Sequence, residues 1–262
     1  MIASCRAWFI VLCLIVMTLP LIPLQWLFNK TNSPLRRKLP LLWHHMAAFL
    51  VGLKVHVKGE MSADRPLLLT ANHVSWLDIV ALSVAGPVSF IAKQEVSKWP
   101  AFGMLAKLQR TVFVNREKRS ATGEKTSEIA NRLHEGDAMV LFPEGTSTSG
   151  VHVKPFRSAL LGAVQKAAGD GETIHVQPLA IAYTHISGMP ALTDERDFTG
   201  FYGDMDLVSS LWPILKEGAI DVTVYFGEPI IADGTIDRKQ LSFALEERVR
   251  TLKSAAFAAD SR

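Results

Sequence analysis

Apolar positions follow two regimes along this chain. Residues 7–28, AWFIVLCLIVMTLPLIPLQWLF, are apolar apart from Thr18 and Gln25 and carry no charge. Roughly twenty such residues reach across a bilayer's hydrocarbon as a helix. From residue 55 onward, short apolar runs of strand length alternate with stretches of helical spacing. Strands are expected at 66–71, 88–92, 111–115, 138–142, 174–183 and 220–226. Helices are expected at 76–85, 100–108, 122–134, 158–168, 207–216 and 241–257, with Gly136 and Gly169 as stop signals. This alternation predicts an α/β fold, a mostly parallel or mixed sheet flanked by helices. Pro178, inside the 174–183 run, predicts an irregular or edge position there. The polar, glycine-containing stretch 187–203 reads as a long loop.

The first regime sets the boundary. Residues 1–54 read as N-terminal membrane-anchoring or interfacial helices and 55–262 as the α/β domain. Pro20 and Pro23 are expected to kink or end the first helix, so it either crosses the bilayer or enters it without crossing. Trp8 and Trp26 stand where interfacial aromatics stand. Arg36, Arg37 and Lys38 follow the segment, which by the positive-inside rule puts the α/β domain on the cytoplasmic face of the inner membrane. PLQWLF offers no small residues for signal cleavage. Residues 39–53, LPLLWHHMAAFLVGL, are expected in the interface or beneath the domain. His44 and His45 are helix neighbours pointing different ways, which argues against a metal pair.

With 262 residues and a net charge of +3, the chain can bury a large core but carries too small a charge excess for a nucleic-acid partner. Cys5 and Cys13 form no disulfide framework or zinc motif, and fit a reducing compartment.

Candidate chemistry begins at ANHVSWLD, residues 71–78. Ser75 and Asp78 have capping-box spacing for the helix that follows, and Asp78 suits its positive end. With the helix beginning at Ser75, the chain folds back so that Asp78 meets one nitrogen of His73. The other nitrogen is left as a base near neutral pH, and the carboxylate fixes the tautomer. Plain helix capping explains Ser75 and Asp78 equally well, and the two readings are compatible. The chain lacks GxSxG. GTSTSG, residues 145–150, has GxxxxG spacing, but Val151 and His152 replace the lysine and hydroxyl of a phosphate-binding loop, which discards ATP. A base without a protein nucleophile suggests that the substrate supplies its own hydroxyl.

Three further stretches stand in order after NHxxxxD: FVNR at 113–116, FPEGTS at 142–147 and VQPLAI at 176–181. Together they resemble the motifs of the glycerolipid acyltransferases, bacterial 1-acylglycerol-3-phosphate acyltransferases above all, over roughly residues 55–226. The resemblance implies transfer of a fatty acyl group from acyl-CoA or acyl carrier protein to a lysolipid hydroxyl, without metal, ATP or other cofactor. It implies His73 as general base, Asp78 as its orienter, and Asn72, Arg116, Glu144, Gly145 and Thr146 at the acceptor, with Pro178 shaping the site. Backbone N–H groups at the Ser75 helix start are the expected oxyanion donors. Two positions depart from the pattern. Ser147 stands where an arginine is usual, and Arg110 where a glycine often precedes the second motif. Lys154 and Arg157 are nearby sources of positive charge. Ser147, with FYGDMDL at 201–207, also resembles enzymes that acylate lyso-ornithine lipids. Lysophosphatidate is the default acceptor and lyso-ornithine lipid the alternative. A lipid hydrolase and a non-catalytic membrane-binding protein are the competing readings.

Overall fold

The computed structural model describes residues 2–114, 119–169, 172–191, 198–203 and 205–259, with backbone alone for 119–124 and 259. Two helices lead into the sheet, α1 (Ile2–Lys30) and α2 (Leu35–Val51), followed by β1 (Leu53–Lys58). β1 therefore starts just before the boundary at 54–55. α1 runs unbroken through Pro20 and Pro23. The rest of the chain is β2 (Leu67–Ala71), α3 (Leu77–Ala85), β3 (Val88–Lys93), α4 (Phe102–Leu108), β4 (Val112–Val114), α5 (Arg119–His134), β5 (Ala138–Leu141), α6 (Gly162–Ala167), β6 (Ile174–Ile186), β7 (Met189–Pro190), α7 (Leu207–Glu217), β8 (Ile220–Phe226), β9 (Ile230–Ala232) and α8 (Arg238–Ala259). The helix expected at 158–168 is split, because 158–161 forms a 3₁₀ turn ahead of α6.

The strands lie in the order β1-β8-β6-β2-β5-β3-β4. β2 pairs in parallel with β5 and β6, and β3 with β5 and β4. β8 runs antiparallel to β6 and parallel to β1, which makes the sheet mixed. Strand alternation divides the core in two. Leu67, Leu69, Val140 and Ile181 face the layer of α1, α2, α3 and α7. Leu68, Met139, Leu141 and Val176 face α5, α6 and α8.

Pro178 corrects the expectation of an edge. β6 is central, and Pro178 pairs with Thr70 of β2. On its other side, β9 pairs up to Val176 and β8 begins at Leu179. The missing N–H therefore falls at the handover between two partners, where no ladder bond is lost. Arg110 has φ of 63°, a left-handed conformation that favours glycine, which accounts for the usual residue there.

α1 is fastened at both ends. Near its start the Arg6 guanidinium donates to Val51 O (3.0 Å) and Leu215 O, carbonyls in the last turns of α2 and α7. Near its end Gln25 and Asn29 donate to Leu108 O at the end of α4. Between these, Trp8, Phe9, Leu12, Val16 and Leu19 are exposed, and Phe49 of α2 is 85% exposed. A water-soluble surface does not keep such a patch.

Below the sheet, Asp137 joins α2 to the domain. Its buried carboxylate meets Arg37 (2.7 Å), Arg110 (3.1 Å) and Arg132. Burial pushes this carboxyl up, but Arg132 and Arg110 outweigh it and hold it below its ordinary value. Asp137→Asn leaves these arginines without their common counter-charge, with an expected loss of about 3–5 kcal/mol in chemical unfolding. A depressed folded value also means that this stability is present at neutral pH and disappears as pH falls through the carboxylate range. The Asn variant should lack that acid-side slope.

Candidate active site

His73 stands just beyond the carboxyl end of β2, where open α/β sheets bind ligands. Asn72 fixes the departure from the strand. Its amide donates to Ile181 O (3.0 Å) and accepts from Ile181 N (2.8 Å), a two-bond clamp on β6. The chain then turns through residues 73–76 into α3.

Asp78, in the first turn of α3, is 0% exposed. Its Oδ2 accepts from His73 Nδ1 (2.7 Å), Val74 N (2.7 Å) and Ser75 N (3.0 Å). Its Oδ1 accepts from the Tyr183 hydroxyl at 2.7 Å. The capping box is half formed: Asp78 reaches back to Ser75 N, while the Ser75 hydroxyl accepts from Leu77 N at 3.4 Å. The N–H groups of Val74 and Ser75 are therefore spent on Asp78, which removes Ser75 N from the oxyanion donors expected at this helix start.

With Nδ1–H donated to Asp78, the imidazole presents Nε2 outward. The ring is 22% exposed and stacks on Phe142, with centroids 4.0 Å apart and planes at 16°. Its backbone is pinned on both sides. Glu144 Oε1 accepts from His73 N (2.9 Å), and His73 O accepts from Thr148 N (3.0 Å) and Oγ1 (3.2 Å).

Glu144 and Asn72, expected at the acceptor, bind main chain instead. Glu144 is 2% exposed, and its Oε2 accepts from Lys154 N at 3.1 Å. Burial pushes its carboxyl up from 4.5 to about 7 against the opposing pull of these backbone donors. Gly145 closes a turn, its N–H donating to Phe142 O (3.1 Å) at φ of 76°. Thr146 is half-buried beside it, and the Lys154 side chain is exposed. The Ser147 hydroxyl donates to Phe201 O, and Phe201 N donates to Val74 O (2.9 Å), so residues 198–203 are laced over the turn after β2. Arg116 lies outside the described residues. His44 and His45 give Nδ1 to Pro40 O and Leu41 O of their own helix.

An apolar cavity of about 480 Å³ opens between the N-terminal helices and the sheet. Leu14 and Ile22 of α1, Trp43 of α2, Trp76 and Ile79 at α3 and Phe90 of β3 line it, among others. It thus borders the helix that carries Asp78. Sequence reading missed both this cavity and Tyr183. A tyrosine amid the apolar run of β6 was the available signal, since a buried hydroxyl needs a partner.

The model of the Acyltransferase family matches residues 52–182. The lyso-ornithine lipid O-acyltransferase of Brucella abortus is 49% identical over 98% of this chain and 97% of its own length. The chain belongs to the acyltransferase family. This acyltransferase is also similar to the 1-acyl-sn-glycerol-3-phosphate acyltransferase of Neisseria gonorrhoeae, 34% identical over 79% of the chain and 76% of that protein. The crystal structure of the LPA acyltransferase PlsC from Thermotoga maritima shares the fold, with a TM-score of 0.65, 22% identity, and 97% and 94% of the two chains covered. The α/β fold expected from the alternation of strands and helices and the acyltransferase activity implied by the motifs both stand.

Glu144→Gln keeps one acceptor oxygen but sets an amide N–H₂ against a backbone N–H. The expected result is about a tenfold lower kcat, the cost of one lost charge-assisted tie on the His73 backbone. The variant also tests the raised carboxyl. A folded value above the unfolded one contributes stability below pH 4.5 that is lost as pH rises to about 7, roughly 3 kcal/mol in all. Urea melts across this range should show the slope in the native protein and not in the Gln variant.

Proposed function

We propose that this acyltransferase moves a fatty acyl group from acyl-CoA or acyl carrier protein to the free hydroxyl of a lyso-ornithine lipid. The observation that carries the chemistry is the His73–Asp78 pair, with Nδ1 held at 2.7 Å and Nε2 facing outward. Nε2 takes the proton of the lipid hydroxyl as its oxygen attacks the thioester carbonyl. Asp78 stabilises the imidazolium that forms. The C–S bond then breaks, and the departing sulfur takes the proton from His73. Positioned general-base catalysis of this kind contributes about a hundredfold to ten-thousandfold.

The acceptor reading is supported by Ser147. Its hydroxyl is occupied by Phe201 O, so this position offers no cation to a phosphate dianion. The B. abortus relative, similar across nearly its whole length, is named for lyso-ornithine lipid. Lysophosphatidate is the second reading, favoured by the N. gonorrhoeae relative. In either case Arg116 is proposed at the anionic group of the acceptor, with Thr146 and Lys154 nearby.

The acyl chain of the donor is assigned to the apolar cavity, whose walls suit hydrocarbon. α1 is pinned at Arg6 and again at Gln25, which supports a position on the membrane surface over spanning. It lies along the domain instead, with Trp8, Phe9, Leu12 and Val16 in the cytoplasmic leaflet of the inner membrane.

A transfer assay with purified enzyme and a panel of lysolipids tests this. Diacyl product is expected only when lysolipid is present, with lyso-ornithine lipid preferred over lysophosphatidate. Free fatty acid released without an acceptor would make the protein a hydrolase. His73→Ala should stay folded and lose most transfer, and near-normal turnover would remove it as the base. Arg116→Ala should raise the acceptor KM more than the donor KM, and an unchanged acceptor KM would take Arg116 out of the anion site.

A further inference from the structure

We propose that Tyr183 is a positioning residue of the acid–base pair, holding Asp78 through its hydroxyl so that the carboxylate keeps the His73 imidazole in its working tautomer. The inference rests on the reading of His73 as the base.

The placement is made by the sheet. β2 and β6 are neighbours in parallel register, Ala71 opposite Leu179. The Asn72–Ile181 clamp extends that register past the end of β2. Alternation then puts Leu179, Ile181 and Tyr183 on the face that packs against α3. Two residues beyond the clamp, the phenol meets Asp78 Oδ1 at 2.7 Å. The β6–β8 register shifts between Tyr183 and His185. Such irregularities re-aim side chains next to active sites.

The bond has a specific electrostatic task. Asp78 Oδ2 serves His73 and two backbone N–H groups, whereas Oδ1 has Tyr183. A wholly buried carboxylate without a donor on one oxygen is poorly stabilised as the anion. Burial and the adjacent Asp78 charge push the phenol's own ionisation well up, so it stays a donor throughout the working pH range. Among the described residues, the ionisable groups packed near the pair include Glu144, bonded to the His73 backbone, and Lys253, which donates to Gly150 O. Both are left in place by a change at Tyr183.

Tyr183→Phe keeps the ring and deletes the donor. For acyl transfer from acyl-CoA, kcat is expected to fall about tenfold, the scale of one hydrogen bond to a charged group, with both KM values unchanged. The acidic limb of the kcat/KM profile should move to higher pH by about half a unit, since the anion is less well supported. Installing 3-fluorotyrosine at 183 strengthens the donor with almost no change in volume, and should move that limb to lower pH. Tyr183→Leu should match the Phe variant if the hydroxyl is what matters. Native kcat and pH profile in the Phe variant, with loss only in the Leu variant, would make Tyr183 a space-filling ring and overturn the proposal. Should the Phe variant unfold, an unmoved limb in the fluorotyrosine enzyme does the same. A native-like His73→Ala variant would instead sink the base assignment beneath it.

Discussion

A carboxylate with no exposure must be supplied with donors or give up its charge, and the site is arranged around that demand at Asp78. Two donors are the N–H groups of the turn entering α3, one is the imidazole of His73 and one is the phenol of β6. These come from two separate parts of the chain, the 73–75 turn and β6. Supplying the charge therefore fixes where α3 starts, how far β2 extends, and which nitrogen of His73 carries the proton. The usual distinction between a helix cap and a catalytic orienter does not apply here, because one pair of oxygens serves as both.

The second constraint acts on the Asn72 side chain and the His73 main chain. Asn72 is clamped to Ile181, His73 N to Glu144 and His73 O to Thr148. The imidazole retains only its side-chain torsions, and Phe142 stacks along one face. The FPEGTS stretch thus contributes by holding backbone, with Phe142 as a wall, Glu144 as a strut and Ser147 as the tie to Phe201. Rigidity of this kind matters because a base misplaced by about an ångström loses much of its advantage.

The spacing in HVSWLD made the His73–Asp78 pair legible from sequence, because five residues across a helix start leave little other geometry. The strand at 220–226 and most other elements were also legible from hydrophobic period alone. The roles of Asn72 and Glu144 were not. A polar side chain in a motif is read as facing substrate until the fold shows which backbone groups need it. Tyr183 was hidden because its run is apolar and its partner lies on another element. Of the two readings of Pro178, irregular or edge, the edge fails and the irregularity holds, since the partners of β6 change at that residue, which a single strand cannot reveal. Pro20 and Pro23 do not end α1, whose neighbouring helices hold it through the prolines.

Membrane binding and chemistry share one layer of the molecule. α1 and α2 present apolar side chains outward and also roof the cavity whose opposite wall is α3 and β3. Under the proposed reaction, an acyl chain entering that cavity gains about 0.8 kcal/mol for each methylene it buries. The reacting carbonyl lies at one end of that chain, and the helix lining the cavity carries the orienting carboxylate. Binding energy from the remote, unreactive part of the donor would thereby be converted into position at His73. The same two helices would keep the lysolipid hydroxyl at interface depth, so that both substrates approach the imidazole from one lipid phase. An enzyme with a weaker hold on α1 and α2 would lose the roof of the proposed donor site together with its grip on the membrane, which gives the bonds at Arg6, Gln25 and Asp137 a consequence for turnover as well as for stability.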